Sequence, residues 1–188
     1  MALSERARDW VITATFLCVV AGLVALGWQH RAAEPGRGMA APSLPLRGLD
    51  GATAALSDYR GRVVLLNIWA TWCAPCRLEM PAMQRAYDRY RDAGLEIVAV
   101  AVDDGSGPFP SVEELDRDFV DQLGLTFPVF LDPTGDTERR LGVGALPTTF
   151  LIDRDGRIRA REVGGRYWDR SPHIDTIESL LEDRWSDG

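Results

Sequence analysis

Cys73 and Cys76, spaced by two residues in WCAPC, are the side chains of this sequence best equipped for chemistry. Such a pair can clip a metal, staple a loop, or open and close as a redox couple. Structural zinc usually takes four ligands, and only His30 and His173 could join the two sulfurs as cysteine or histidine donors, since Cys18 lies far upstream. With three cysteines in 188 residues, the chain is no disulfide scaffold and is long enough not to need one. A redox couple requires one sulfur that ionises readily and a second within reach of it.

The flanking segments would supply both conditions. VVLLNIWA, residues 63–70, is a continuous apolar run rich in β-branched residues, as expected of a strand covered on both faces. Met80, Met83, Tyr87 and Tyr90 then recur at helical spacing, so a helix is predicted over 74–91, with a kink near Pro81. Cys73 would sit at the helix N-terminus, where unsatisfied N–H groups and the macrodipole favour a thiolate. Cys76 would lie one turn further along the same side, placed to attack a mixed disulfide on Cys73. Pro75 suits the first turn, where its missing N–H costs nothing. Arg77 is a nearby cation expected to point to water.

The remaining elements follow in alternation. A second buried strand is predicted over 95–103, after Gly94 as a stop, and a helix from a Ser111 cap with Glu114 as its capping-box partner to about Gln122. A short strand over 127–132 precedes one short helix. Residues 148–165 alternate apolar and polar around an Asp-Gly turn, a hairpin pattern. Ile174, Ile177, Leu181 and Trp185 mark one face of a terminal helix. This order implies an α/β fold with a central mixed sheet flanked by helices.

Composition narrows the function. A net charge of −7 argues against a nucleic-acid surface. No lysine occurs, which removes Schiff-base and P-loop lysine chemistry. Residues 11–28 form an uncharged stretch that as a helix would reach ~27 Å, close to a hydrocarbon core of ~30 Å. Trp10 and Trp28 bracket it as interfacial residues would. The expected organisation is therefore a membrane anchor over 1–28, a flexible tether over 29–41 and a soluble domain over 42–188. A cleaved signal sequence ending near Ala25 and Gly27 is the alternative. Either arrangement exports the domain.

WCAPC with LPTTFLIDRDGRI downstream resembles the thioredoxin superfamily, in its TlpA/ResA-like branch of membrane-anchored extracytoplasmic thiol–disulfide oxidoreductases. The resemblance covers residues 42–185 and implies a thioredoxin fold, with 104–122 fitting the helix this branch inserts. It implies that Pro147 is a cis-proline facing the cysteines, and that Trp72, Leu146 and Pro147 border the bound partner. Thioredoxins carry a buried aspartate on the strand before the motif; here Asn67 stands there and cannot serve as a base. Glu79, three residues beyond Cys76, matches a glutamate of the ResA-like pattern. Partly buried beside two thiols, it would have a raised pKa and could accept the Cys76 proton.

The activity so implied is exchange of a dithiol with protein disulfides outside the cytoplasm, at the inner membrane, with Cys73 as nucleophile, Cys76 as resolving thiol and no cofactor. Family substrates include apocytochrome c during cytochrome c maturation and the copper-site cysteines of an oxidase. The usual electron donor is a membrane thiol reductase of the CcdA/DsbD type. Thr148, where the CcmG subgroup typically carries glutamate, leans away from that subgroup. Two alternatives remain: a Cu(I)-binding assembly factor, or a peroxiredoxin-like peroxidase. The latter expects threonine three residues before the reactive cysteine, and position 70 is alanine.

Overall fold

A continuous apolar run needs partners on every side, and VVLLNIW finds them at the centre of the sheet. The computed structural model describes residues 14–20, 36–104 and 112–184. Seven strands form one sheet: β1 (Pro45–Gly48), β2 (Thr53–Ala55), β3 (Val63–Trp69), β4 (Leu95–Ala101), β5 (Val129–Leu131), β6 (Thr148–Ile152) and β7 (Ile158–Val163). Their spatial order is β2-β1-β5-β4-β3-β6-β7. Strands β3, β4 and β5 run parallel. β6 is antiparallel to β3, so the sheet is mixed as expected. Every residue of β3, β4 and β6 is buried, which is why these strands lack the alternation of half-exposed ones.

Four α-helices connect or follow the strands: α1 (Ala74–Tyr90), α2 (Val112–Leu123), α3 (Asp136–Leu141) and α4 (His173–Leu181). Helix α1 is one element across Pro81 and buries Cys76, Glu79, Met80, Ala82, Met83 and Ala86. Tyr87, further along, meets Phe127 edge-on with ring centroids 6.0 Å apart. Gly94 ends the following 3₁₀ turn at φ 105°, a left-handed conformation that glycine adopts without a Cβ clash. Helix α4 buries Ile174 and Ile177 as its periodicity predicts, but its third buried residue is Leu180 while Leu181 is half-buried, and Trp185 lies outside the described residues. The Ser111 cap of α2 lies outside them too.

Two features depart from the sequence reading. The β1–β2 hairpin, with Leu46 opposite Ala54, was not foreseen, because PLRG and TAA are too short to show a period. The ordered domain also starts earlier than residue 42. Gly38 N–H donates to Ile158 O at 2.6 Å, Ile158 N–H donates to Met39 O at 2.9 Å, and Ala40 bridges Arg157. The end of the expected tether is thus tied to the start of β7. Of the apolar stretch at 11–28, residues 14–20 are helical and the others lie outside the described residues. Among the described residues no helix is long and apolar enough to cross a membrane.

Candidate active site

The last residue of β3 is Trp69, and the chain turns once before α1 begins. Cys73 N–H donates to Ala70 O at 3.2 Å, closing a four-residue turn whose central residues are Thr71 and Trp72. Cys73 then occupies the N-cap of α1, and its sulfur accepts the Cys76 N–H at 3.3 Å. A sulfur so placed takes one of the helix's free N–H groups and faces the positive end of its dipole. Cys73 and Cys76 are joined as a disulfide. Cys73 is 6% exposed and Cys76 is fully buried, so an incoming partner can reach only the first sulfur. Arg77 is exposed as expected, and its guanidinium lies 5.7 Å from the centre of the Phe119 ring.

Three other segments meet this turn. The Leu146–Pro147 bond is cis. Thr148, the next residue, is in register with Ile68 near the end of β3, which brings Pro147 level with the start of the active turn. Pro147 O accepts the Gly164 N–H at 2.8 Å, and Gly165 lies against Pro75. The backbone beyond β7 therefore links the cis-proline loop to the first turn of α1. Trp72 is 70% exposed and shares a groove with Gly142 and Val143, just upstream of the half-buried Leu146. The sequence-predicted residues Trp72, Cys73, Leu146 and Pro147, from two loops, and Cys76, from the first turn of α1, thus meet at one end of the sheet.

Gly165 has little room for a side chain. A Cβ there would lie 3.0 Å from the Pro75 carbonyl oxygen, and that neighbour is backbone. Gly165→Ala is expected to cost ~1–3 kcal/mol of stability, as overpacking does, in urea unfolding. Gly144→Ala, where nothing among the described residues lies within 4 Å, is the control and should be near neutral.

Glu79 is no solvated helix glutamate. It is 2% exposed and carries three hydrogen bonds from distant parts of the chain. Oε1 accepts from Asn67 Nδ2 at 2.8 Å, and Oε2 accepts from the Arg166 backbone N–H at 3.0 Å and Trp168 Nε1 at 3.2 Å. Burial dominates and pushes the carboxyl up to about 7, against the opposing pull of those donors. Asn67 Nδ2 also donates to Thr149 Oγ1 at 2.8 Å, while Asn67 Oδ1 has no hydrogen-bond partner among the described residues. Turning the amide over would offer that oxygen to a protonated Glu79, so Asn67 can donate to the carboxylate or accept from the carboxylic acid. Such a carboxyl can hold or release a proton near neutral pH one helical turn from Cys76.

Sequence reasoning missed three participants. Asp103 accepts hydrogen bonds from Thr71, and Trp168 and the Arg166 N–H hold Glu79. A lone aspartate after a strand and a tryptophan far downstream carry no local signal. Pairing across 32, 87 and 89 residues is visible only once the chain is folded.

Comparison with known proteins agrees with the mixed-sheet α/β fold. The model of the AhpC/TSA family matches residues 38–161. The thiol-disulfide oxidoreductase ResA of Geobacillus thermodenitrificans is 44% identical over 122 residues, which span 65% of this chain and 66% of that protein. ResA of Bacillus thuringiensis subsp. konkukian is 36% identical over 149 residues, or 79% of this chain and 82% of its own. Among solved structures, a DsbE-like thiol:disulfide interchange protein of Chlorobium tepidum superposes with a TM-score of 0.69 at 37% identity, covering 78% of this chain and 99% of that one. The chain therefore belongs to the AhpC/TSA family of thioredoxin-fold proteins, as a thiol–disulfide oxidoreductase of the ResA kind.

Proposed function

We propose that the protein is a membrane-anchored dithiol reductant of exported protein disulfides, with apocytochrome c as the first substrate to test and oxidase copper-site cysteines as the second. The observation that carries this reading is the asymmetry of the couple: one sulfur near the surface at the head of α1, the other fully buried behind it. In the reaction, the Cys73 thiolate attacks one sulfur of the partner's disulfide and the other partner sulfur leaves as a thiolate. Cys76, its proton taken by Glu79, then attacks the Cys73 sulfur of the mixed disulfide. The second partner sulfur leaves, and two electrons have passed from the dithiol to the partner. A membrane thiol reductase of the CcdA/DsbD type would restore the dithiol. Residues 1–28 would hold the domain at the outer face of the inner membrane, as the uncharged apolar stretch 11–28 suggests.

The reducing direction is tested by equilibrating the Cys73–Cys76 couple with glutathione and by mixing the reduced protein with an oxidised CxxCH peptide. The expected outcome is a potential well below the about −200 mV of exchange-poised couples, with the peptide reduced. A value near the about −120 mV of strong disulfide donors would sink the reductant reading and leave an oxidant in its place. Anchoring is tested separately: the full chain should resist alkaline extraction from membranes, and a chain lacking residues 1–28 should not.

A further inference from the structure

We infer that Asp103 is a positioning residue for the exchange reaction, holding the turn that presents Trp72 and Cys73 to an incoming disulfide; this rests on the exchange reading above. After Trp69 the parallel pairing of β3 with β4 continues for one more bond, from Val102 N–H to Trp69 O at 2.9 Å. Beyond it the β3 chain must leave the sheet to reach α1, and Thr71 N–H has no strand to pair with. Asp103 supplies the missing partner. Its Oδ2 accepts the Thr71 N–H at 3.0 Å, with Oδ1 at 3.3 Å from the same nitrogen. Oδ1 also accepts the Thr71 hydroxyl at 2.7 Å.

Asp103 is only 3% exposed, so these bonds are shielded from competing water. Thr71 is a central residue of the Ala70–Cys73 turn, and fixing it fixes the direction in which the following residue leaves. That residue is Trp72, whose exposed side chain borders the groove together with Val102, Asp104, Gly142 and Val143. The clamp therefore joins the end of β4 to the surface that a partner chain must cross to reach the Cys73 sulfur.

The charge of Asp103 makes its positioning role separable from any effect on ionisation. A carboxylate near a thiol opposes thiolate formation, so removing it cannot slow ionisation of Cys73. The other charged groups around the turn and the start of α1 are Glu79, Arg77, Asp104, Glu138 and Arg139, and Asp103→Ala leaves all of them in place.

The test uses the full chain in its reduced form. For Asp103→Ala we expect kcat/KM toward an oxidised CxxCH peptide to fall roughly tenfold, as misplacement of reacting groups does. Alkylation of Cys73 by iodoacetamide should stay the same or become faster. Thr71→Val keeps the carboxylate and loses only the hydroxyl bond; it should lose roughly threefold in exchange and serves if Asp103→Ala does not fold. Unchanged exchange in a folded variant overturns the assignment, and so does a parallel fall of exchange and alkylation, which marks general loosening. Failure of the unmutated protein to reduce the peptide would instead strike the exchange reading itself.

Discussion

Cys73→Ser is expected to abolish reduction of protein disulfides, by on the order of 10³-fold or more, whereas Cys76→Ser should accumulate the protein covalently joined to its partners. The two cysteines differ by position alone. Cys73 caps α1, its sulfur accepts the Cys76 N–H, and it is the one sulfur of the pair that meets the surface. A serine hydroxyl in its place ionises far too weakly to attack a disulfide. Cys76 is fully buried and can act only after Cys73 has become part of a mixed disulfide. With serine at position 76 that intermediate has no internal resolving thiol and persists. Non-reducing electrophoresis of both variants after exposure to an oxidised CxxCH peptide distinguishes the roles. Trapping by Cys73→Ser alone would reverse the assignment of nucleophile and resolving thiol, and equal trapping by the two would overturn it.

Glu79 should impose a pH dependence on the stability of the oxidised protein, where neither cysteine titrates. Its carboxyl is held at about 7 in the fold against an ordinary value of 4.5. A group raised by folding favours the protonated native state. Its contribution is fully present below the ordinary carboxylate range and is lost as pH rises through about 7. The difference amounts to about 3 kcal/mol, most of it arising from burial of a charge that three hydrogen bonds only partly compensate. Urea unfolding of the oxidised protein between pH 5 and 9 should therefore show stability falling with pH. Glu79→Gln should flatten that slope. His173, which burial lowers from its usual value, contributes a slope of opposite sign at lower pH and is common to both proteins. An identical slope in the two proteins would mean that Glu79 is not the titrating group and cannot be the proton acceptor for Cys76. Glu79→Gln should also shift the pH dependence of exchange at the resolving step.

Several features of the site were legible in the sequence because their causes are local. The apolar run 63–70 demands burial on both sides, and β3 lies between β4 and β6. Pro75 and the helical spacing that follows locate the head of α1, and with it the position of Cys73. The Asp-Gly turn marks the β6–β7 hairpin, with Gly156 at φ 77°. Pro147 drew its predicted cis bond from resemblance rather than from spacing, since an ordinary turn proline has the same local signature.

What the sequence by itself determined, then, was the Cys73–Cys76 pair and the strand–helix junction that holds it, because nearest-neighbour rules govern both. Only the tertiary structure decided the setting of Glu79 and the partner of Thr71. Glu79 titrates near neutral pH because Asn67, Arg166 and Trp168 converge on it from β3 and from the segment beyond β7 while solvent is excluded. Asp103 reaches the active turn because β4 runs parallel beside β3 and ends level with it. Burial and long-range hydrogen bonding depend on which strands become neighbours, and sheet order is a property of the folded chain rather than of any window along it.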